Sequence, residues 1–309
     1  MNEAAVRGGT AVVVVAFEGE ALLGDCLDAL LADMEPGLEV FVVDNGSRDA
    51  SLEVARRREA ARPGLVHTLA LPRNFGFAGG VNRGVAALLA RESPPEVLVL
   101  LNQDCVVSRG WLAPLVEALA DPGVAVAGAR LLEADGVTLQ HAGARLEANG
   151  LTTHVGRGCR DPGAHRERSD VDYVCGALVA MRTETWIEFG PFDEGYTPAY
   201  YEEVDFCMRA RSAGRRIVYV PGSEAVHLEA ASSVAGSALF LRRYHRSRLR
   251  FVVRVLLGRG RTLRWMVAEA SWLLRLRHWR DFSPVLAAYV RVPWFFAERF
   301  VDWKEGRAT

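Results

Sequence analysis

Short, uninterrupted apolar runs alternate along the chain with segments whose apolar residues recur at helical spacing. The first run, AVVVVAF at 11–17, is rich in β-branched residues and has no polar position, which is typical of a strand buried on both faces. Strand and helix patterns alternate four times within about a hundred residues, so a doubly wound α/β sheet with right-handed crossovers is predicted. The further strands are predicted at 40–44, 67–71 and 97–101, and the helices at about 22–31, 49–61 and 79–92.

The rest of the chain divides into a mixed region and a helical one. Residues 124–175 predict strands with loops, including a loop rich in glycine and arginine at 156–170, and RIVYV at 216–220 predicts a further strand. From about residue 240 the pattern is helical. We therefore expect one domain over 1–239, with a nucleotide half at about 10–122 and an acceptor half at about 123–239, and a helical extension over 240–309.

Polar side chains follow two of the buried strands where each strand ends. Asp44 closes the second strand, and Asp104 follows the strand at 97–101 after Asn102 and Gln103. In α/β sheets ligands bind outside the carboxyl ends of the strands. A carboxylate there can pair with a base or ribose edge, or bind a hard divalent cation whose other ligands are phosphates and water. A turn with a helix cap, from Ser47 or Asp49, is the structural alternative for the DNGSRD segment.

The stretch RNFGFAGGVNRG at 73–84 is rich in small residues and opens a helix. Glycines let backbone N–H groups approach a ligand, a helix N-terminus favours phosphate, and Arg73 adds a positive charge. Close packing of the helix on the sheet explains the same glycines equally well. The segment matches neither a P-loop nor a dinucleotide fingerprint.

Three carboxylates cluster at the start of a predicted helix over 200–214, namely Glu202, Glu203 and Asp205. The two tyrosines before them favour a walled pocket, in which a carboxylate could act as general base on a hydroxyl. A solvated acidic helix end is the alternative. Among the seven histidines, His227 is the candidate ligand, because it follows a strand end beyond this helix.

Taken in order, these segments resemble inverting family 2 glycosyltransferases of GT-A fold, and among them the bacterial rhamnosyltransferase-like branch. The resemblance covers about residues 10–250. The motifs that carry it are DNGS, RNFGFAGGVNRG, LNQD, CGALVAMR, FGPFDEGYTPAYYEEVDFCMR and VPGSEAVH.

The resemblance implies a role for each matched residue. Asp44 would bind the pyrimidine ring, and Asp104 would bind Mn²⁺ or Mg²⁺ with the donor diphosphate, His227 completing the metal site. Gln103 departs from the family pattern, and Asn102 is an amide, so Asp104 is the only carboxylate of its motif. The remaining donor-side residues are Asn45, Ser47, Arg73, Asn74, Gly76 and Asn102, and the acceptor-side residues are Phe192, Asp193, Tyr201 and Asp205.

The EEVD segment lies where the family has E-D-x-D, whose second residue is the usual base. Glu203 takes that place here, with one more methylene than aspartate, and Glu202 stays open as the alternative. The expected reaction is the metal-dependent, inverting transfer of a rhamnose-type sugar from dTDP, or a hexose from UDP, to a hydroxyl. The acceptor would be a cell-envelope glycan, a lipid-linked saccharide or a similar molecule.

Two other function classes remain open. One is a module that binds nucleotide sugar without turnover, which the unusual LNQD and EEVD segments favour. The other is a sugar nucleotidyltransferase, but that class needs a basic, glycine-rich loop after the first strand, where AFEGEALLGD has no basic residue.

Charge is distributed unevenly in a chain whose net charge is −1. Residues 240–309 carry 16 Lys and Arg against 5 Asp and Glu, a net charge of +11, so the remainder carries −12. Arginines and tryptophans are interleaved with Leu and Val there, which suits an anionic membrane surface better than nucleic acid. Packing on the body or on a second copy in a homodimer is the alternative.

The cysteine pattern and the lack of export signals predict a cytoplasmic location. Five scattered cysteines form no C-x-x-C pair, no signal peptide is recognisable, and no uncharged apolar run reaches the roughly 20 residues of a membrane span. If the C-terminal helices bind lipid, the protein would be peripheral on the inner face of the cytoplasmic membrane.

Overall fold

The computed structural model describes residues 9–160, 163–229, 237–257, 262–275 and 279–304. The strands are β1 (Thr10–Ala16), β2 (Leu38–Asp44), β3 (Val66–Ala70), β4 (Val97–Asn102), β5 (Cys105–Val107), β6 (Val124–Leu132), β7 (Leu139–His141), β8 (Ala144–Leu146), β9 (Thr152–His154), β10 (Ser169–Val171), β11 (Leu178–Arg182) and β12 (Arg216–His227). The helices are α1 (Glu20–Ala32), α2 (Ser51–Ala61), α3 (Gly76–Leu89), α4 (Leu112–Leu119), α5 (Thr183–Phe189), α6 (Glu202–Ser212), α7 (Ala238–Phe251), α8 (Thr262–Arg275), α9 (Trp279–Tyr289) and α10 (Val292–Lys304).

Ten of these strands form one central sheet. Its main path runs β10-β12-β6-β11-β4-β1-β2-β3, β5 and β7 pair at its side, and β8 and β9 form a separate hairpin. Neighbours β3, β2, β1 and β4 are parallel, and β6 and β12 are parallel to each other. Because β11 is antiparallel to both β4 and β6, all six of those strands run the same way. The predicted, mostly parallel α/β sheet is confirmed.

The sheet is covered on both faces, which explains why β1 has no polar position. Val12 and Val14 pack in one apolar layer with α1, and Val13 packs in the opposite layer with α3. Burying each such side chain stabilises the fold by about 1.5–3 kcal/mol. The alternation of strands and helices from β1 to β4 follows the sequence pattern.

Two glycines inside α3 serve the packing of that helix on the sheet. A Cβ at Gly80 would lie 2.7 Å from Val15, and one at Gly84 would lie 2.7 Å from Val43. The packing explanation for these glycines is therefore confirmed. Helix α3 begins at Gly76, three residues before the predicted start.

Strand β12 is longer than the sequence predicted. The strand was predicted over 216–220, but it continues through Pro221 and Gly222, with a register shift between Val220 and Glu224. Its last residue, His227, pairs with Cys105 of β5. The expectation that His227 follows the strand is therefore wrong in detail: it is the strand's final residue, directly beside the LNQD segment.

The C-terminal region is helical, as predicted. Helix α7 runs into a short π-helical segment, Val252–Leu256, and packs against α9 and α10. Arg248 of α7 is fully buried and pairs with Glu269 of α8 through two 2.7 Å hydrogen bonds. None of the helices in the described ranges combines the length and the apolar character needed to cross a bilayer.

Candidate active site

The parallel register brings the predicted polar residues to one edge of the sheet. Asp44 of β2 lies opposite Ala16 of β1, and Asn102 of β4 lies opposite Val15. The carboxyl ends of β1, β2 and β4 therefore lie side by side. The loops that follow these strands enclose the candidate active site.

A cavity of about 810 Å³ opens beside Asp44. It is lined by the loop after β1, the 44–48 turn and the segment from Ala70 to Asn74. Asp44 is buried, and its Oδ2 accepts a hydrogen bond from the Ser47 amide at 3.3 Å. Among the described residues its Oδ1 has no partner. A buried acceptor without a partner in a cavity of ligand size is suited to a donor group of a bound molecule.

The turn after β2 packs directly on the loop before α3. Gly46 has φ +76°, and a Cβ there would lie 2.5 Å from the Arg73 backbone. The Asn45 amide group donates to Gly76 O at 3.0 Å and accepts from the Phe75 amide at 3.0 Å. Asn45 thus connects the two loops that line the cavity.

Protein oxygens already accept the first amides of α3. Gly76 N–H donates to Asn74 Oδ1 at 2.7 Å, and Phe77 N–H donates to Pro198 O at 3.0 Å. The Arg73 guanidinium lies 4.6 Å from the centre of the Phe75 ring. Asn74 and Gly76 therefore shape the loop around the cavity, and their donor-binding role stays a prediction.

Asp104 and His227 lie together at the ends of β4 and β12. Asp104 Oδ1 is 3.3 Å from His227 Nε2, and both side chains are buried. His227 Nδ1 is 2.7 Å from Gln140 Oε1, and Asn102 Nδ2 is 3.3 Å from His227 Nε2. With its proton on Nδ1, donated to Gln140 Oε1, the ring leaves Nε2 unprotonated, where it can accept from Asn102 or bind a metal beside Asp104.

Gln140 was not predicted from the sequence. Its Nε2 also donates to His227 O at 3.1 Å and to Glu133 at 3.2 Å, so the amide is fixed in one orientation. A hydrogen bond of this kind orients a metal-binding histidine. No local signal marks it, because it lies 87 positions from His227 in the sequence.

These side chains fit a divalent cation through one carboxylate and one imidazole. The neighbouring Cys105 also has its sulfur within 4.8 Å of their ligand atoms. However, burial and the nearby Asp104 charge raise the Cys105 pKa well above its usual value, and its thiol donates to Ala177 O. A neutral thiol is a poor ligand, so Asp104 and His227 are the residues suited to hold a metal.

Gln103 has a structural role that explains its departure from the family pattern. Its side-chain oxygen accepts from Phe17 N–H at 2.9 Å, and its side-chain nitrogen donates to Phe17 O at 3.0 Å. This pair of bonds fixes the loop after β1, which forms one wall of the cavity.

Glu202 and Glu203 lie at the start of α6. Burial raises the pKa of Glu203 to about 7. Burial, with the neighbouring Glu203 charge, raises the pKa of Glu202 well above its usual value. Glu203 is half-buried, whereas Glu202 is buried, and Glu202 Oε2 has no partner among the described residues. Since a general base works best with a pKa near the operating pH, Glu203 is the better placed of the two.

The segment Gly176–Ala177 lies against both Glu203 and the strand end that precedes Asp104. A Cβ at Gly176 would lie 3.7 Å from Glu203 Cβ. The next residue, Ala177, accepts a hydrogen bond from the Asn102 amide at 2.9 Å. Glu203 and the segment that carries Asp104 therefore both contact one short stretch of backbone.

A strained turn precedes α6. Tyr200 and Tyr201 have φ values of 81° and 78°, which non-glycine residues rarely adopt and which cost about 1–3 kcal/mol each. The buried Tyr201 hydroxyl donates to Gly150 O at 2.6 Å and lies 3.1 Å from the Tyr244 hydroxyl of α7. These bonds hold the turn and point the hydroxyl into the protein.

The other predicted acceptor-side residues also have partners within the protein. Asp205 pairs with Arg209 at 3.0 Å, and Asp193 pairs with Arg250 of α7 at 3.0 Å. Phe192 is buried and packs near Trp186 and Phe206. The structure thus places all three around α6, and their acceptor role stays a prediction.

Comparison with known proteins identifies the family. A family model described as "Glycosyltransferase like family 2" matches residues 7–253. An N-acetylglucosaminyl-diphospho-decaprenol L-rhamnosyltransferase of Mycobacterium tuberculosis is 27% identical over 282 residues, covering 85% of this chain and 88% of that protein. Other curated relatives are longer, and this chain spans 22% and 37% of two of them.

Solved structures support the same fold. GalNAc-T7 with UDP, GalNAc and Mn²⁺ superposes with a TM-score of 0.61 at 18% identity, over 81% of this chain and 52% of that one. The Pyrobaculum calidifontis mannosyltransferase with GDP-Man and Mn²⁺ superposes with a TM-score of 0.55 at 18% identity, over 98% and 76%. The GT-A fold predicted from the sequence is confirmed.

Proposed function

The chain belongs to glycosyltransferase family 2, and on this premise we propose that it is a metal-dependent, inverting glycosyltransferase with Glu203 as its base. The observation that carries the proposal is that Glu203 and the segment carrying Asp104, which pairs with His227, both contact Gly176–Ala177. Such an arrangement brings a proton acceptor and a site for a diphosphate leaving group to the same part of the fold, and a single displacement requires both.

The nucleoside of the donor occupies the cavity beside Asp44. A uracil or thymine ring offers an N–H group flanked by carbonyls, and the Asp44 oxygen without a partner accepts from that N–H. The donor is therefore a dTDP- or UDP-linked sugar, a rhamnose-type sugar or a hexose.

Asp104 and His227 would hold Mn²⁺ or Mg²⁺ when the donor binds. When bound, the cation supplies charge stabilisation for the leaving nucleoside diphosphate. Gln140 keeps the His227 ring in the orientation that presents Nε2, and Gln103 holds the loop after β1 against the nucleoside.

Glu203 removes the proton of an acceptor hydroxyl. The oxygen of that hydroxyl forms a bond to the anomeric carbon as the bond from that carbon to the diphosphate oxygen breaks, so the configuration inverts. The start of α6 and the wall at Gly176 keep the carboxylate in place, and its pKa near 7 keeps it partly ionised at neutral pH. The acceptor is a cell-envelope glycan or a lipid-linked saccharide, a class that the name of the M. tuberculosis relative supports.

The experiment is sugar transfer and slow donor hydrolysis from a panel of dTDP- and UDP-sugars with Mn²⁺. Glu203→Gln is expected to lower kcat by about 10²–10⁴-fold. The exposed Glu184, also in the first turn of a helix, gives a matched control, Glu184→Gln, which should keep wild-type activity. Wild-type rates in both Glu203→Gln and Glu202→Gln would exclude the assigned base.

Binding of nucleoside diphosphate without turnover of any sugar in the panel would instead favour a nucleotide-sugar-binding module. Stabilisation of the fold by nucleoside diphosphate only when Mn²⁺ is present distinguishes that outcome from a protein that does not bind the donor.

A further inference from the structure

Exposed large apolar side chains are concentrated on the last three helices. Of fourteen such side chains in the described part of the chain, nine lie between residues 263 and 300. Leu274 is 88% exposed and Val290 is 79% exposed. We call this set the C-terminal apolar face: Leu263, Met266, Val267, Leu274, Leu286, Val290, Trp294, Phe296 and Phe300.

Helix α8 shows that this exposure is organised. Leu263, Met266, Val267 and Leu274 recur at helical spacing on its outer side. Its inner side packs on α7, through the buried Glu269 paired with Arg248 and through Trp272 against His245. Helix α8 thus packs on α7 with its inner face, and its outer face exposes apolar side chains to solvent. An exposed apolar area of this extent indicates an interaction surface.

The exposed charged side chains that the structure describes around this face are positive. Arg264, Arg275 and Arg291 are exposed on or beside α8–α10. Of the acidic side chains that the structure describes after residue 237, Glu269 is buried against Arg248, and Glu298 pairs with Arg250. The exposed surface therefore joins apolar side chains to arginines, which is complementary to an anionic, partly apolar partner.

We propose that the C-terminal apolar face binds peripherally to an anionic lipid bilayer. Helices α8, α9 and α10 have 14, 11 and 13 residues. At 1.5 Å per residue they are shorter than the roughly 30 Å hydrocarbon core, so they lie along the interface. Trp294 donates its ring N–H to Glu298 while the residue remains 64% exposed, which suits the membrane interface.

A second copy of the chain is the less suitable occupant. Two-fold symmetry brings the same surface patch together on both subunits. Pairing through this face would place the arginines of one copy near the arginines of the other, with no exposed acidic side chain among the described ones to offset them. A lipid surface supplies both the apolar layer and the anionic phosphates.

The binding surface is connected to the acceptor side of the site. Helix α7 carries the contacts: Arg250 pairs with Asp193, Arg246 donates to Thr197 O at 3.0 Å, and the Tyr244 hydroxyl meets Tyr201. A bilayer bound by α8–α10 would therefore have the 192–201 segment at a fixed position relative to its surface. This orienting role rests on the proposed function, whereas the lipid binding does not.

The experiment is co-sedimentation of the full chain with vesicles of phosphatidylcholine containing phosphatidylglycerol, at low and high salt. Binding is expected to the anionic vesicles and to weaken with salt. Val267→Glu and Leu274→Glu, both at exposed positions, should weaken it by about tenfold or more. Ile187→Glu changes an apolar residue on α5 that is as exposed as Val267, and this variant should bind as the wild type does.

Donor hydrolysis by the same variants separates this proposal from the proposed function. Unchanged hydrolysis with lost vesicle binding supports a lipid surface that is independent of the chemistry. Lack of vesicle binding by the wild type overturns the proposal. A dimer in sedimentation velocity that Leu274→Glu dissociates would assign the face to a second copy, and equal binding to neutral vesicles would overturn the role of the arginines.

Discussion

The donor side and the acceptor side of the site obtain their geometry in different ways. On the donor side, Asp44 and Asn102 lie where two strands end in register beside β1, so the backbone ladder positions them. On the acceptor side, Glu203 follows two tyrosines with positive φ, and the turn depends on side chains of α7. Backbone ladders therefore fix one side of the site, and distant side chains fix the other.

This difference predicts which half of the site depends on the C-terminal helices. Asp193 and Tyr201 each contact α7, at Arg250 and Tyr244. The residues that line the cavity beside Asp44 all belong to the first 74 positions. Loss of the C-terminal packing should therefore disturb acceptor use before it disturbs nucleotide binding.

The largest effect is expected from breaking the buried Arg248–Glu269 pair. Glu269→Gln leaves a buried arginine without its counter-charge and should lower the free energy of unfolding by about 3–5 kcal/mol. The matched control is Glu53→Gln, which breaks the exposed Glu53–Arg57 pair on α2 and should cost at most about 1 kcal/mol. Urea unfolding measures both. If the two variants lose the same free energy of unfolding, the buried pair is no more important to the C-terminal packing than an exposed pair, which would contradict this account.

A somewhat smaller effect, on catalysis, is expected from removing the charge of Asp104 on the donor side. Asp104→Asn keeps the shape of the side chain but removes its charge, and should lower kcat by about 10²–10³-fold. It should also abolish the rise in melting temperature that nucleoside diphosphate produces with Mn²⁺. Asp25→Asn, at an exposed position of α1, is the control. Retention of Mn²⁺-dependent stabilisation in Asp104→Asn would remove Asp104 from the metal site.

The smallest effect is expected from Gln140, which acts through His227. Gln140→Leu removes the acceptor for the Nδ1 proton and should weaken Mn²⁺ binding by about 10–100-fold, measured by calorimetry or by the EPR signal of free Mn²⁺. Gln140→Glu retains the acceptor for Nδ1 but loses the N–H groups donated to Glu133 and to His227 O, so it should restore only part of the affinity. If both variants bind Mn²⁺ as the wild type does, His227 is oriented by something else.

The sequence predicted the site correctly where the position of a residue depends only on the strand that carries it. An apolar run that ends in Asp44 or Asn102 predicts both a buried strand and a polar side chain at its carboxyl end. Both predictions agree with the structure. The order of the motifs also identified the family and the GT-A fold correctly.

The remaining features depend on contacts between distant positions. Nothing near Gln140 or Tyr244 in the sequence indicates His227 or Tyr201 as a partner. The apolar run at 216–220 predicted only the first part of β12, because the rest of the strand is held by pairing with β5 and β6, which a local pattern does not show. The roles of Asp193 and Asp205 toward an acceptor remain predictions for the same reason.

The pH dependence of kcat/KM tests the central claim, that Glu203 is the base, most directly. Burial raises its pKa to about 7, and only the ionised carboxylate accepts a proton. The rate should therefore be level above about pH 7 and fall about tenfold per pH unit below it. Glu202→Gln should leave this limb near pH 7, because burial raises the Glu203 pKa, and Glu203→Gln should eliminate the limb together with most of the rate. A rate that stays constant from pH 5 to 8, or a limb that persists in Glu203→Gln, would contradict the account.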